Sequence, residues 1–220
     1  RELRVQEIEI VGTSTINVSP YPRASIDIQD PRLQEQLLDK RYFYLRNEKI
    51  AAILKFRHIL TRIVHQWFHK NGFIEIHAPV LTPTPLYDDR TPIALKVHDQ
   101  NVYLTQCVGF YLEAAVHAFE KIYNIGPSFR AEERRSKRHL MEYWHIKAAL
   151  AFVDFEDIVS VVERFIQEVS EQSVREGSGL ADVIGTEMCG DGMKAPFPRI
   201  DYTEAVEWLK IQGSDIEFGK

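Results

Sequence analysis

The chain has 220 residues and a mass of 25.5 kDa, with 45% hydrophobic and 27% charged residues, a composition that excludes disorder and simple repeats and fits one domain or one domain plus a remnant. Its 27 Lys+Arg against 32 Asp+Glu leave a net charge of −5, which excludes a polycation that coats nucleic acid; any contact with RNA or phosphate must be local. No run approaches the roughly 18 uninterrupted apolar residues of a membrane span, the opening RELRVQEIEI is unlike a signal peptide, and Cys107 and Cys189 alone make no disulfide framework, so the chain reads as cytoplasmic.

Leu3, Val5, Ile8 and Ile10 alternate with polar residues, which predicts a strand ended by Gly12 and Ser14. Pro20, Pro22 and Pro31 lie in a polar stretch that suits a linker, giving a boundary near residue 40. Apolar residues at 50, 53, 54, 60, 63, 64 and 67 recur at helical spacing, so a helix is predicted over Ile50 to Asn71, closed by Gly72. Residues 73 to 77 alternate as a strand and run into Pro79. Strands are expected between Lys96 and Leu104 around a turn at Asp99-Gln100-Asn101, then a helix from Phe110 to Lys121. Two aromatic-rich runs, Ile122 to Glu132 and Tyr143 to Asp154, flank a charged loop and predict a hairpin with a long basic tip. Asp154 or Asp157 should cap a further helix that runs to Gly177, with an irregular Gly-rich region beyond it. Arg199 to Asp201 is a short strand candidate, and Asp201 with Glu204 resembles a capping box.

The densest chemistry lies in that hairpin. Arg130 and Glu132 are two residues apart and share a strand face, with Tyr143-Trp144 returning opposite and Arg134, Arg135, Lys137, Arg138 and His139 at the tip. A guanidinium can hold a phosphate, a carboxylate can accept an exocyclic amine, and an aromatic can stack a base. Charge alone gives a plainer alternative, a solvated hairpin tip.

The stretch Tyr123-Asn124-Ile125-Gly126-Pro127-Ser128-Phe129-Arg130-Ala131-Glu132, with Arg138-His139-Leu140-Met141-Glu142-Tyr143-Trp144, resembles motif 2 of class II aminoacyl-tRNA synthetases, most closely the asparaginyl branch beside the aspartyl one. Ile50 to Pro79 resembles motif 1, a long helix and a strand ending in proline at the dimer interface. Leu104-Thr105-Gln106 with Tyr111-Leu112-Glu113-Ala114 is similar to the segment between the motifs, and Leu38-Asp39-Lys40-Arg41 with Leu45-Arg46 to the lead-in. The resemblance implies an α+β class II synthetase core, an antiparallel sheet flanked by helices, over residues 41–220, preceded in residues 1–40 by the end of an OB-fold-like domain and a linker. It further implies ATP-dependent, Mg²⁺-assisted activation of an amino acid as an acyl-adenylate, a homodimer with Pro79 at its interface, and tRNA as acceptor. Arg130 would bridge the α-phosphate and the substrate carboxylate, Glu132 would read the adenine amine, Tyr143 would stack the base where the family has phenylalanine, and Arg138 and His139 would meet the outer phosphates. Gln106, Gly109, His145 and Lys147 would line the amino-acid pocket.

Four departures concern the amino-acid pocket and the ATP tail, and those in the pocket argue against ordinary asparagine. The family's Glu-Gly pair after motif 1 is replaced by a segment whose nearest carboxylates are Asp88 and Asp89; a pocket glutamine becomes Gly109; and Lys147 stands where the family has an acid that would pair with an ammonium. Motif 3, a Gly-rich strand and helix ending in Glu-Arg, is not found, since no arginine follows Arg199 and the clusters Gly177-Ser178-Gly179 and Gly190-Asp191-Gly192 read as loops. The sheet would then lack a central strand, so either the chain is a fragment or it dimerises unusually. Three readings stay open: an asparaginyl-type ligase, a paralogue that activates a different carboxylate without tRNA, and a non-catalytic dimer that binds nucleotide. His65 and His69 have metal-ligand spacing but are read as a surface or dimer-facing pair, and Cys107 as a small buried thiol.

Overall fold

A four-residue helix α1 (Arg41–Tyr44) leads into α2 (Glu48–Lys70) in the computed structural model, which describes residues 6–13, 38–86, 91–131, 139–188 and 193–219. Asn47 starts α2: its Oδ1 accepts from the backbone N–H of Lys49 at 3.0 Å and of Ile50 at 3.4 Å, using donors that the first turn cannot satisfy. Gly72, at φ +78°, stops it, and the N–H of Phe73 reaches back to the carbonyl of Phe68 at 3.0 Å. Strands β1 (Ile74–Glu75), β2 (Leu81–Thr82), β3 (Ala94–Val97) and β4 (Gln100–Leu104) follow, then α3 (Gly109–Phe119), β5 (Lys121–Phe129), β6 (Glu142–Leu150), α4 (Phe155–Ile184) and α5 (Tyr202–Ile211). The chain divides into two compact units, Arg1–Ile59 with Glu176–Met188 and Leu60–Arg175 with Cys189–Lys220.

The second unit holds two sheets, ordered β1-β5-β6 and β2-β4-β3. All pairings are antiparallel except β1 with β5, which run parallel. Among the described residues β6 has a strand on one edge only. One face of β5 meets an aromatic core: Tyr123 is fully buried and stacks on Phe68 at 4.2 Å and 9°, while Trp67, Phe73 and Phe165 meet these rings edge-on or tilted. The Tyr123 hydroxyl lies 2.9 Å from His65 Nδ1, 3.0 Å from His69 Nε2 and 3.3 Å from Glu75 Oε2. Burial, with Glu75 adding to it, pushes the phenol well above its ordinary range, so it stays protonated and donates to the carboxylate. The two histidines are thus joined through a tyrosine in the interior edge of this core. An apolar cavity of about 370 Å³ lies nearby, lined by Trp67, Phe68, Ile146, Ala148, Val162 and Phe165 among others. On the opposite face Val108, Leu112 and Ile122 form a second cluster that seats α3.

Several sequence expectations change. The hairpin turn falls at His98-Asp99, one residue early, because Val97 pairs with Gln100 and His98 adopts φ +53°. Residues 199–201 form no strand; the Arg199 guanidinium is held instead by Glu156 at 2.6 Å and Glu163 at 3.7 Å. Of the strand expected from Leu3 to Ile10, Leu3 and Val5 lie outside the described residues, and residues 6–13 are exposed and carry no strand. Asp154 caps α4, accepting from the Asp157 N–H at 2.9 Å, while Asp157 returns a bond to the Asp154 N–H at 3.1 Å. The capping box of α5 forms as expected, Glu204 N–H to Asp201 at 2.9 Å and Asp201 N–H to Glu204 at 3.4 Å.

The largest correction is at Gly177 and Gly179, which lie inside α4 and not in a loop. In the first unit a Cβ on Gly177 would stand 2.5 Å from the Phe56 ring, whereas nothing lies within 4 Å of one on Gly179. Glycine at 177 therefore serves close packing, and the helix ends only at Gly185, at φ +81°, where Gly185 and Thr186 both donate to the Ala181 carbonyl. The pair gives a controlled test. Gly179→Ala should stabilise by up to about 1 kcal/mol through helix propensity, while Gly177→Ala should destabilise by roughly 1–3 kcal/mol through overpacking. Urea unfolding of both variants checks this, and equal effects would refute the packing role of Gly177.

Candidate functional site

The β5–β6 register decides which side chains meet. Ser128 pairs with Tyr143, Gly126 with His145 and Asn124 with Lys147, and the Arg130 N–H extends the ladder to the Met141 carbonyl at 2.9 Å. Paired residues share a face, so Asn124, Ser128, Arg130, Tyr143, His145 and Lys147 line one side of the hairpin, while Glu142, the only carboxylate in the two strands, points to the other. Two of the named polar groups are deeply buried, Ser128 at 1% exposure and Asn124 at 6%. Asn124 is fixed by donating Nδ2–H to the Ile76 carbonyl at 2.7 Å.

His145 sits at the centre. Its Nδ1 shares a hydrogen bond with Ser128 Oγ at 3.3 Å, and its ring lies 5.8 Å from that of Tyr143. Burial first, then the charges of Lys147 and Arg130, hold its pKa below the ordinary imidazole value, which keeps the ring neutral near pH 7. Lys147 donates from Nζ to Cys107 Sγ at 3.0 Å. A Cβ on Gly109 would stand 2.9 Å from that Nζ, a contact that a small shift of the lysine's flexible end would relieve.

Gln106 is buried, and both ends of its amide are engaged: Oε1 accepts from the Leu86 N–H at 3.1 Å and Nε2 donates to Thr91 Oγ1 at 2.8 Å. It braces the chain on either side of residues 87–90. The Ala131 N–H donates to the Thr91 carbonyl at 2.9 Å, tying the end of β5 to the same place. His139 and Pro79 are exposed. Glu132, Arg138, the other basic residues 134–137, Asp88, Asp89 and Cys189 lie outside the described residues. The structure thus brings Arg130, Tyr143, His145, Lys147 and Gly109 to one place. It adds Ser128, Asn124 and Cys107, of which the first two were available from the hairpin register and the last only from the tertiary fold.

A family model described as tRNA synthetases class II (D, K and N) matches residues 33–219. The chain belongs to this family. It is 31% identical to asparagine–tRNA ligase of Pyrococcus furiosus over 219 residues, 99% of this chain and 49% of the relative, and 31% identical to that of Desulforamulus reducens over 220 residues, 100% and 49%. Among solved structures it is similar to asparaginyl-tRNA synthetase from Pyrococcus horikoshii complexed with asparaginyl-adenylate, at 33% identity and a TM-score of 0.80, covering 84% of this chain and 43% of that one. It is also similar to the Entamoeba histolytica enzyme, at 26% and 0.77, covering 89% and 44%. The class II core expected from the motifs is thereby established for this synthetase-family chain, which spans about half the length of the curated relatives it matches.

The buried neutral imidazole has a pH signature. Because the pKa of His145 is lower folded than unfolded, its contribution to stability is present above the unfolded value of about 6.5 and is lost as pH falls through that value toward the folded one. The urea midpoint should therefore drop between pH 8 and pH 5.5, and His145→Asn should remove part of that drop. An unchanged pH slope in the variant would refute the assignment.

Proposed function

We propose that this synthetase-family chain carries the adenylation site of an asparaginyl-type ligase, which activates an amino acid or related carboxylate with ATP and passes it to tRNA. The observation that supports this best is the single sheet face that carries Arg130, Tyr143, His145 and Lys147, with Gly109 next to the Lys147 ammonium, in a chain matching the family over residues 33–219. In the reaction a carboxylate oxygen bonds to the α-phosphorus as the bond to the bridging oxygen of pyrophosphate breaks. The protein needs no nucleophile for this; it needs alignment and charge neutralisation. Arg130, on a rigid strand end, would span the α-phosphate and the carboxylate; Tyr143 would stack the adenine; Glu132 would accept from its amine; Arg138 and His139 would meet the outer phosphates. Neutral His145, hydrogen-bonded to Ser128, keeps a third positive charge out of the acid pocket.

Mg²⁺ would enter with the triphosphate and neutralise its charge. Among the described residues no group of three or more His, Cys, Asp and Glu could hold such an ion alone, so no step is assigned through it. The homodimer is part of the same proposal, with Pro79 and the neighbouring exposed Val80 and Leu81 as its interface, as are a cytoplasmic location and an OB-fold-like remnant in residues 1–40 ahead of the catalytic domain at 41–220. Among the described residues no helix is long and apolar enough to cross a membrane. A second reading, a non-catalytic nucleotide-binding dimer, is favoured by one feature, the Gly109–Lys147 exchange.

Exchange of labelled pyrophosphate into ATP, screened over the amino acids and related acids, separates the two. Arg130→Ala should lower exchange at least about 100-fold while sedimentation still shows a dimer. Retained exchange would remove Arg130 from the mechanism, and ATP binding without exchange for any acid would favour the non-catalytic dimer.

A further inference from the structure

We propose that Cys107 and Lys147 form a redox-controlled covalent link: a peroxide oxidises the Cys107 sulfur to a sulfenic acid, and the Lys147 amine captures it as a sulfur–nitrogen bond that thiols reverse. The effect on activity rests on the adenylation reading, in which Lys147 belongs to the acid pocket; the link itself does not.

The two reacting atoms already touch, with Lys147 Nζ 3.0 Å from Cys107 Sγ. Both side chains hang from fixed backbone. Lys147 is held in β6 opposite Asn124, whose own side chain is tied to Ile76. Cys107 follows Thr105 in the segment between β4 and α3, and Thr105 anchors that segment on three sides: its N–H donates to the Val80 carbonyl at 2.8 Å, its carbonyl accepts from the Phe129 N–H at 2.9 Å, and its hydroxyl donates to the Cys107 carbonyl at 3.1 Å. The sulfur is therefore held in place, and the flexible end of the lysine closes the remaining gap beside Gly109, which has no side chain to crowd it. Among the described residues no carboxylate pairs with Lys147, so no ion pair has to break for the amine to turn onto the sulfur. Cys107 is 8% exposed and Lys147 partly exposed. So small an opening admits a peroxide more readily than a bulky thiol, and it leaves the first oxidation product against an amine and not in open solvent.

The chemistry balances with one peroxide. The thiolate attacks it, an S–O bond forms, the O–O bond breaks and one water leaves; the sulfur loses two electrons and the peroxide gains them. The neutral amine then attacks the sulfur, an S–N bond forms, the S–O bond breaks, and the hydroxyl departs with a proton of the amine as a second water, with no further oxidant. Two thiols undo the link. The first opens the S–N bond, returns the lysine amine and forms a mixed disulfide, and the second frees Cys107 and leaves with the first as a disulfide. While it lasts, the link removes the charge of Lys147 and ties β6 to the start of α3. A contact that merely holds Lys147 in place predicts something else: oxidation of Cys107 with the lysine untouched.

The test treats the full chain with hydrogen peroxide, alkylates the remaining thiols and maps the digest by mass spectrometry. The expected product is one joined pair of peptides, carrying Cys107 and Lys147 and lighter by two hydrogens than the two apart, and dithiothreitol should return both to their original form. The pair should be missing from Cys107→Ser and from Lys147→Met, and in the latter Cys107 should run on to sulfinic acid. Cys189→Ser should still form it. Sulfenic or sulfinic acid at Cys107 with Lys147 unmodified in the unaltered chain would overturn the inference, as would a Cys107 that stays reduced under excess peroxide or a pair joined at another lysine. Pyrophosphate exchange should fall in proportion to the fraction linked and recover with dithiothreitol; full exchange by linked protein would overturn the control of the site. Reversible linking in a chain that, even reduced, exchanges with no acid would leave the link standing and overturn the adenylation reading instead.

Discussion

The antiparallel register that sets Ser128 opposite Tyr143 and Asn124 opposite Lys147 is the constraint on which the rest depends. Side chains alternate across a sheet, so a slip of one residue would carry the polar set to the aromatic face and the aromatic set to the polar one. Nothing on either face tolerates that. On one side Tyr123 stacks on Phe68 with its hydroxyl among His65, His69 and Glu75; on the other Asn124 is bonded to Ile76 and Ser128 to His145. Each contact names a register, and all name the same one. Burial of Tyr123 and of Ile122 next to it, on opposite faces, stabilises the pairing by several kcal/mol in total at about 1.5–3 kcal/mol per large apolar side chain.

The same constraint gives the site its rigidity. Arg130, Tyr143, His145 and Lys147 stand on or at the ends of paired strands, and strand positions hold side chains more tightly than loops do. On the opposite face the end of α2 is fixed by the Phe68–Tyr123 stack and stopped at Gly72. Gln106 adds a brace from the second sheet, since an amide committed at both ends to Leu86 and Thr91 cannot also turn into the pocket without breaking a buried bond. The hairpin face is therefore a preorganised platform.

Much of this architecture was legible in the sequence because it is local. The helical spacing from Ile50 to Trp67, the Gly72 stop, the Asp201–Glu204 box and the paired aromatic runs around the basic loop are all patterns within a few residues of each other. The failures are tertiary in origin. Gly177 reads as a helix end until Phe56, far off in sequence, is found against it; Arg199 reads as strand until Glu156 and Glu163 take its charge. Cys107 against Lys147 spans 40 residues, and no local rule predicts it. The candidate site divides the same way: the Arg130, Tyr143 and His145 set follows from hairpin alternation, while the form of the acid pocket required the packing of α3 against β6.

That packing changes the meaning of the departures from the family pattern. Taken singly, Gly109 looks like a lost ligand and Lys147 like a misplaced charge, two degenerations pointing to an inactive relative. A decaying pocket loses groups without regard to one another. Here the ammonium lies 3.0 Å from a buried thiol, a weak acceptor, and next to the open space at Gly109. Among the described residues no carboxylate pairs with this partly exposed ammonium, and a charge partly removed from water costs free energy unless something offsets it. Lys147 and Arg130, on either side of His145 along the strand face, both lower the pKa of its imidazole, so this face of the hairpin carries a positive potential while the ring between them stays neutral.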